Sequence, residues 1–301
     1  MMNSRLIAAA VTVFCFFCMA QDEVRADWWE VSHQCQILDV PSEPLYKVYF
    51  STIPPNDFDD YGDAALIELG GLWKLRYFRD VLWGDMDSRL DFQSVLPLGD
   101  TALSLPDQLV AFYLDAGWTR RMVGGRAWQI RARPGLYSDL TNPAANDFFV
   151  PLSGAYIRTF NPSMSGILGV EIRPGFERTL MPIMGIECEL GGAARVEARV
   201  PKSRIEYFLS SRWTTHLGLE WRNRSFRVHE DVAGDPDLIT LEDFLAWWGL
   251  TYRVSDEIHV FADFGRAFGR SIEFSGQASG ADDRVNIGSG AFGRVALGGP
   301  F

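Results

Sequence analysis

Leu168-Gly169-Val170-Glu171-Ile172-Arg173 and, after an interval, Met184-Gly185-Ile186-Glu187-Cys188-Glu189-Leu190 carry the pattern that decides the fold. In each, apolar side chains alternate with glycine or charge, as in a strand whose successive side chains leave on opposite faces. The alternation recurs in both directions. Upstream, Trp73, Leu75 and Tyr77 alternate with Lys74 and Arg76. Val110, Phe112, Leu114, Ala116 and Trp118 oppose Tyr113, Asp115 and Gly117, and Trp128, Ile130 and Ala132 oppose Gln129, Arg131 and Arg133. Downstream, Val196, Ala198 and Val200 oppose Arg195, Glu197 and Arg199, while Leu217, Leu219 and Trp221 oppose Gly218, Glu220 and Arg222. Ile258, Val260, Ala262 and Phe264 oppose His259, Asp263 and Gly265. Each run has one greasy face and one charged or glycine-bearing face.

A half-buried soluble sheet alternates too, so length is the discriminator. Soluble strands average about 5–6 residues, whereas a tilted strand crossing a bilayer needs about 9–11, and several runs here are of the longer kind. The links tend to alternate as well, with 177–180 and 201–203 as short exceptions on the long-loop side. Short ones fall near 121–125, 161–164, 191, 214 and 254–257, and longer polar ones near 97–106, 138–149, 229–242 and 275–283. Tight turns on one side and longer loops on the other suit a membrane barrel. The expected fold is all-β, an antiparallel transmembrane β-barrel over residues 62–301 with about 12 strands (10–14). Twelve strands follow Met86, and a hairpin of 64–69 and 72–78 across Gly70-Gly71 would raise the number to fourteen.

Composition narrows the function. The 301 residues carry a net charge of −11, which argues against a nucleic-acid binder, since phosphate recognition wants a basic face. A hydrophobic share of 47% with 13% aromatics argues against a disordered chain. Residues 1–20 read as a cleavable signal peptide. Arg5 is followed by an uncharged run from Leu6 to Met19, ending Cys18-Met19-Ala20, too short to span a bilayer comfortably. Residues 21–61, with Pro41, Pro44, Pro54, Pro55 and the acids Asp57, Asp59 and Asp60, read as an N-terminal extension, partly disordered or plug-like. Without the leader, Cys35 and Cys188 are the remaining cysteines, and whether they are bridged stays open. No other segment has the 18 consecutive apolar residues of a membrane helix. Val295, Leu297 and Gly299 lead to Phe301, a terminal aromatic of the kind that outer-membrane assembly machinery reads. Trp118, Trp128, Tyr137, Tyr156, Trp213, Trp221, Trp247, Trp248 and Tyr252 are candidates for interfacial girdles.

Residues 105–274 resemble a family of outer-membrane β-barrel proteins defined as a domain of unknown function. The likeness rests on Leu105-Pro106-Asp107 leading into Tyr113-Leu114-Asp115-Ala116-Gly117-Trp118, and on Pro134-Gly135-Leu136-Tyr137-Ser138-Asp139. Leu180-Met181-Pro182 with Gly185, Pro201-Lys202-Ser203-Arg204 and Phe268-Gly269-Arg270 complete it. The resemblance implies an outer-membrane barrel and brings no catalytic set.

Chemistry-bearing clusters are few. Asp57, Asp59, Asp60 and Gly62, with Glu68 eleven residues after Asp57, resemble a calcium-loop spacing. Tyr61 stands where an oxygen ligand belongs, and a solvated acidic turn explains the run as well. Ser210, Ser211 and His216 are close in sequence but fall across a turn, and His259 and Asp263 lie about 13 Å apart along one strand. The reading is not an enzyme, with no cofactor and no metal. What remains is the polar face: Asp115, Arg131, Arg133, Glu171, Arg173, Glu187, Glu189, Arg195, Glu197, Arg199, Glu220 and Arg222. In a barrel these line the lumen, where opposite charges pair across strands or border a water path. The expected protein sits in an outer membrane, either as a passive pore for small solutes or as a structural surface barrel. Its expected partners are the membrane lipid and the assembly machinery acting through the strand ending at Phe301. The alternative is a secreted soluble barrel that binds an apolar ligand, lipocalin-like. The two differ in where the greasy face points.

Overall fold

A computed structural model describes residues 46–57, 62–99, 105–141, 143–229, 237–256, 258–276 and 283–299. The first strands are β1 (Tyr46–Asp57), β2 (Asp63–Val81), β3 (Gly84–Leu98) and β4 (Leu109–Met122). There follow β5 (Arg126–Ala132), β6 (Gly135–Ser138), β7 (Phe148–Phe149), β8 (Leu152–Asn161), β9 (Met164–Ile172) and β10 (Leu180–Leu190). The remainder are β11 (Ala194–Val200), β12 (Lys202–Phe208), β13 (Trp213–Arg227), β14 (Leu238–Arg253), β15 (His259–Ser275), β16 (Asp283–Ile287) and β17 (Gly290–Gly299). Each pairs antiparallel with its neighbour in sequence or with the next one along. The last strand returns to the first, with Val48 opposite Leu297 and Phe50 opposite Val295. The sheet therefore closes and leaves no edge to be satisfied by water.

Prolines interrupt two of the staves. β5 and β6, both paired to β4, are separated at Arg133-Pro134. β7 and β8 are separated at Val150-Pro151. Proline has no N–H to give to the ladder, although its carbonyl still serves: Leu114 N–H donates to Pro134 O at 3.0 Å and Arg133 N–H to Pro151 O at 2.8 Å. β16 and β17 likewise form one stave, split at Gly288-Ser289 and paired to β15. Counted in this way the barrel has 14 staves.

This corrects the expected twelve, and the cause is specific. The twelve strands after Met86 are present, and β1 and β2 add two more. β1 lies inside the proline-bearing stretch read as an extension, so the described part of the wall includes Tyr46–Asp57 of it. β2 is one strand of 19 residues rather than a hairpin. Gly70-Gly71 is not a turn but a double close approach. A side chain at Gly70 would collide with the Tyr49 ring, and one at Gly71 with the Trp73 ring. β1 pairs straight through both positions, Tyr49 with Gly70 and Val48 with Gly71.

Both described ends of the chain and the tight turns after β2, β4, β8, β10, β12 and β14 lie on one rim, and the longer links, together with the one-residue β11–β12 link at Pro201, on the other. Leu168, Ile130, Leu217 and Phe264 of the greasy stripes are exposed by 64%, 55%, 54% and 67%. A soluble barrel would bury such residues, and a contiguous apolar exterior of this kind marks a lipid-facing surface. The lipocalin-like alternative, with the apolar face inward, is therefore not the arrangement found. At the turn rim Trp128 meets Tyr156 and Trp213 meets Tyr252, with ring centroids 5.1 and 4.5 Å apart. Tyr137 and Trp247, grouped with these in the sequence reading, are buried in the interior core instead. Cys188 is buried on β10, whereas Cys35, the leader, Phe301 and most of the extension lie outside the described residues.

Candidate functional site

Contacts between staves that are not neighbours identify the inner face. Arg222 on β13 places Nη1 2.8 Å from Glu68 Oε2 on β2, a chord through the barrel. The same guanidinium forks onto Asp243 of β14, Nε to Oδ1 at 2.7 Å and Nη2 to Oδ2 at 2.6 Å. Arg224 Nη1 reaches Glu68 Oε1 at 2.9 Å. These carboxylates are almost wholly removed from solvent, and a buried charge persists only when it is paired.

Further pairs run round the wall. Arg131 on β5 passes over β4 to Asp87 on β3 (Nη2 to Oδ2, 2.6 Å) and holds Asp115 on β4 (Nε to Oδ1, 2.8 Å). Arg89 takes the other oxygen of Asp115 at 2.9 Å. Arg133 pairs with Glu171, and Arg195 with Glu187. Arg199 Nη2 meets Glu197 Oε2 at 2.9 Å. Arg173 lies 3.5 Å from Glu171, but its stronger link is Nη1 donating to Asn223 O at 2.7 Å. Glu220 stands opposite Lys202 in the ladder, and Glu189 is exposed near the β10–β11 turn. The side chains of Arg199, Arg133 and Arg204 remain 33%, 28% and 27% exposed, so protein does not fill the space beside them.

Several inner charges escaped the sequence reading. Asp87, Arg89 and Asp91 follow the period-two rule within β3 and were there to be found. Glu68 was hidden by the supposed hairpin. Its commitment to Arg222 and Arg224 also removes it from the calcium-loop spacing, whose Asp59, Asp60 and Tyr61 lie outside the described residues. His216 is turned inward, Nε2 2.7 Å from Asp263 Oδ1, with Arg294 Nη2 2.6 Å from the other oxygen. Ser210 sits on the turn rim, its Oγ accepting the N–H groups of Arg212 and Trp213 at 3.2 and 3.1 Å. The structure thus divides the Ser210–His216 grouping and pairs Asp263 with His216 rather than His259.

Toward the loop rim the inner face changes character. Ala64 and Leu66 precede Glu68, Ile239 and Leu241 precede Asp243, and Phe274 and Ile272 stand beyond Arg270. With Ile53, Val95, Leu109, Phe226, Val285 and Ile287 they form one apolar cluster inside the barrel. The mouth above is crossed by chain. Asp139 N–H donates to Arg227 O at 3.1 Å, and Asp139 Oδ2 accepts the His229 N–H at 2.7 Å. His229 Nε2 lies 2.7 Å from Asp147 Oδ1, and Asp147 Oδ2 also accepts from Ser138 Oγ and the Ala144 N–H, both at 3.0 Å. Burial works against the Asp147 charge, yet these donors outweigh it and hold the carboxyl below its ordinary range. The segment from β6 to β7 is thereby tied to the end of β13, a stave far round the wall.

A closed antiparallel barrel with an apolar exterior and a charged interior is the architecture of an outer-membrane β-barrel. No family model and no curated protein matches the chain. Among solved structures, the chain is similar to an outer membrane channel from Pseudomonas putida at 13% identity, with 93% of this chain and 100% of that one covered and a TM-score of 0.44. It is similar to the NanC porin at 8% identity, with 85% and 100% covered and a TM-score of 0.36. It is also similar to the KdgM porin in complex with disordered oligogalacturonate at 7% identity, with 85% and 99% covered and a TM-score of 0.34.

Proposed function

We propose that the protein is an outer-membrane channel that passes small solutes passively, in the state with its loop-side mouth closed. The supporting observation is the partial exposure of Arg199, Arg133 and Arg204 on the inner face of a 14-stave wall. Eight strands enclose an interior that side chains fill, while sixteen or more leave an aqueous channel. Fourteen staves with accessible inner charges fall toward the open end of that scale. Asp115, Arg131, Arg133, Glu171, Arg173, Glu187, Arg195, Glu197, Arg199, Glu220 and Arg222 border the solute path, and Glu189 stands at its turn-side vestibule. The reading includes export through residues 1–20, assembly through the strand that leads to Phe301, and membership of the domain-of-unknown-function family that residues 105–274 resemble. It includes no catalytic step.

Reconstitution into planar bilayers tests the channel directly. Discrete conductance steps, with heat-modifiable mobility in gels, are the expected outcome. A folded, heat-modifiable barrel that never conducts would make it a structural surface barrel. Recovery without detergent would remove the membrane reading altogether.

A further inference from the structure

Resting on the membrane reading, we propose that the outer wall at the β4–β5–β8 corner of the turn rim is a binding site for the phosphate headgroups of anionic phospholipid. The register brings three arginines together there. Arg126 stands directly opposite Arg158, and Arg120 opposite Trp128, two residues along the same face from Arg126. Trp128 is 51% exposed and shares its face with Tyr156, its cross-strand partner. The arginines therefore project outward, at the level of the aromatic belt that marks the membrane–water interface. Opposed residues stand about 5 Å apart and diagonal ones about 7–8 Å, close enough for three guanidinium groups to converge on one headgroup.

Two features bear on the cluster. Like charges directly opposite one another destabilise a sheet, and Arg126 and Arg158 are held in that relation. Moreover, most arginines of the inner face are matched to carboxylates (Arg270, which donates to Gly288 O, is the exception), whereas among the described residues Arg120, Arg126 and Arg158 have no ion-pair partner. In a chain of net charge −11, a basic corner without counter-charge calls for an anion from outside. The exposed Val123, Phe160 and Trp128 around it suit acyl chains and glycerol, and guanidinium forks suit phosphate. Because the corner lies on the turn rim, the lipid comes from the leaflet on that side.

Native mass spectrometry of the full-length protein, released from detergent with phosphatidylglycerol or phosphatidylcholine, tests the site. The wild type should retain phosphatidylglycerol preferentially. R126Q/R158Q should lower that preference about fivefold for each arginine neutralised. R126K/R158K should recover much of it, and R212Q, on another turn, should leave it unchanged. Heat-modifiable mobility checks that each variant is folded. Equal retention of the two lipids by the wild type, or unchanged retention by folded R126Q/R158Q, would overturn the proposal while leaving the barrel and its channel reading in place. If inorganic phosphate competes the lipid away at equal concentration, the corner is a site for soluble anions and the lipid assignment fails.

Discussion

The two halves of the barrel interior are lined by the same staves yet obey opposite chemistry. Near the loops, inward positions carry Ile53, Leu66, Leu109, Ile239 and Ile272, with almost no exposure. Toward the turns, the same strands supply Asp115, Asp243, Asp263 and their arginine partners. The change is abrupt on β2, where Leu66 is followed inward by Glu68, whereas on β14 the buried Leu245 and Trp247 lie turnward of Asp243. A single alternating strand can therefore be half seal and half wet wall, because its period of two fixes which face is inner and leaves the polarity of that face free. The seal rests on close packing and the wall on paired charge, so the halves should fail in different ways.

The charged half should fail hardest. Glu68→Ala leaves Arg222 and Arg224 short of a buried carboxylate, and removing one partner of such a group costs about 3–5 kcal/mol. Denaturant unfolding in detergent should show a correspondingly lower midpoint; a midpoint unchanged from wild type would mean that water already reaches these arginines. The apolar half should lose somewhat less. Leu109→Ala should cost about 2–5 kcal/mol and, on the channel reading, raise conductance by thinning the apolar cluster inside the loop-side mouth. A loss of stability with no gain in conductance would place the obstruction elsewhere.

Smaller effects belong to the tie across the mouth. His229→Ala removes one hydrogen bond to Asp147, worth about 1 kcal/mol, and should hasten proteolysis of the 139–147 link without dissolving the barrel. The depressed Asp147 carboxyl gives the pH sign. Its contribution is complete above the unfolded value of about 3.9 and is lost as pH falls through the lower folded value. Protease sensitivity of this link should therefore rise only in strongly acidic solution. The least change in stability is expected from Arg199→Glu, a partly exposed pair worth about 0–1 kcal/mol. Its effect should appear in reversal potential, moved toward cations, and a fixed reversal potential would remove Arg199 from the solute path.

The outer surface was the most legible part of the molecule. Leu168, Val170 and Ile172 announce a lipid-facing stripe, and a bilayer asks only for apolarity at alternate positions. The same rule sets the charged positions of β4, β5, β9 and β11 on the face opposite the apolar stripe. The seal did not, since Leu238-Ile239-Thr240-Leu241-Glu242-Asp243 breaks the alternation. Outward Glu242 is covered by Trp221 and Arg178, which donate to it at 2.9 and 3.0 Å. That covering depends on a segment more than sixty positions away, which no local pattern reveals. β1 stayed hidden for a similar reason: Pro54 and Pro55 read as a break, yet they lie near the end of the strand, beside a shift in register.

The seam between Tyr46–Asp57 and Gly290–Gly299 joins the first and last ribbons of the wall. The hoop can be fastened only once the final ribbon exists, and until then its two free edges offer bare N–H and C=O groups to any passing strand. Closure is thus the last step of sheet formation, and the seam is where an incomplete wall stays reactive.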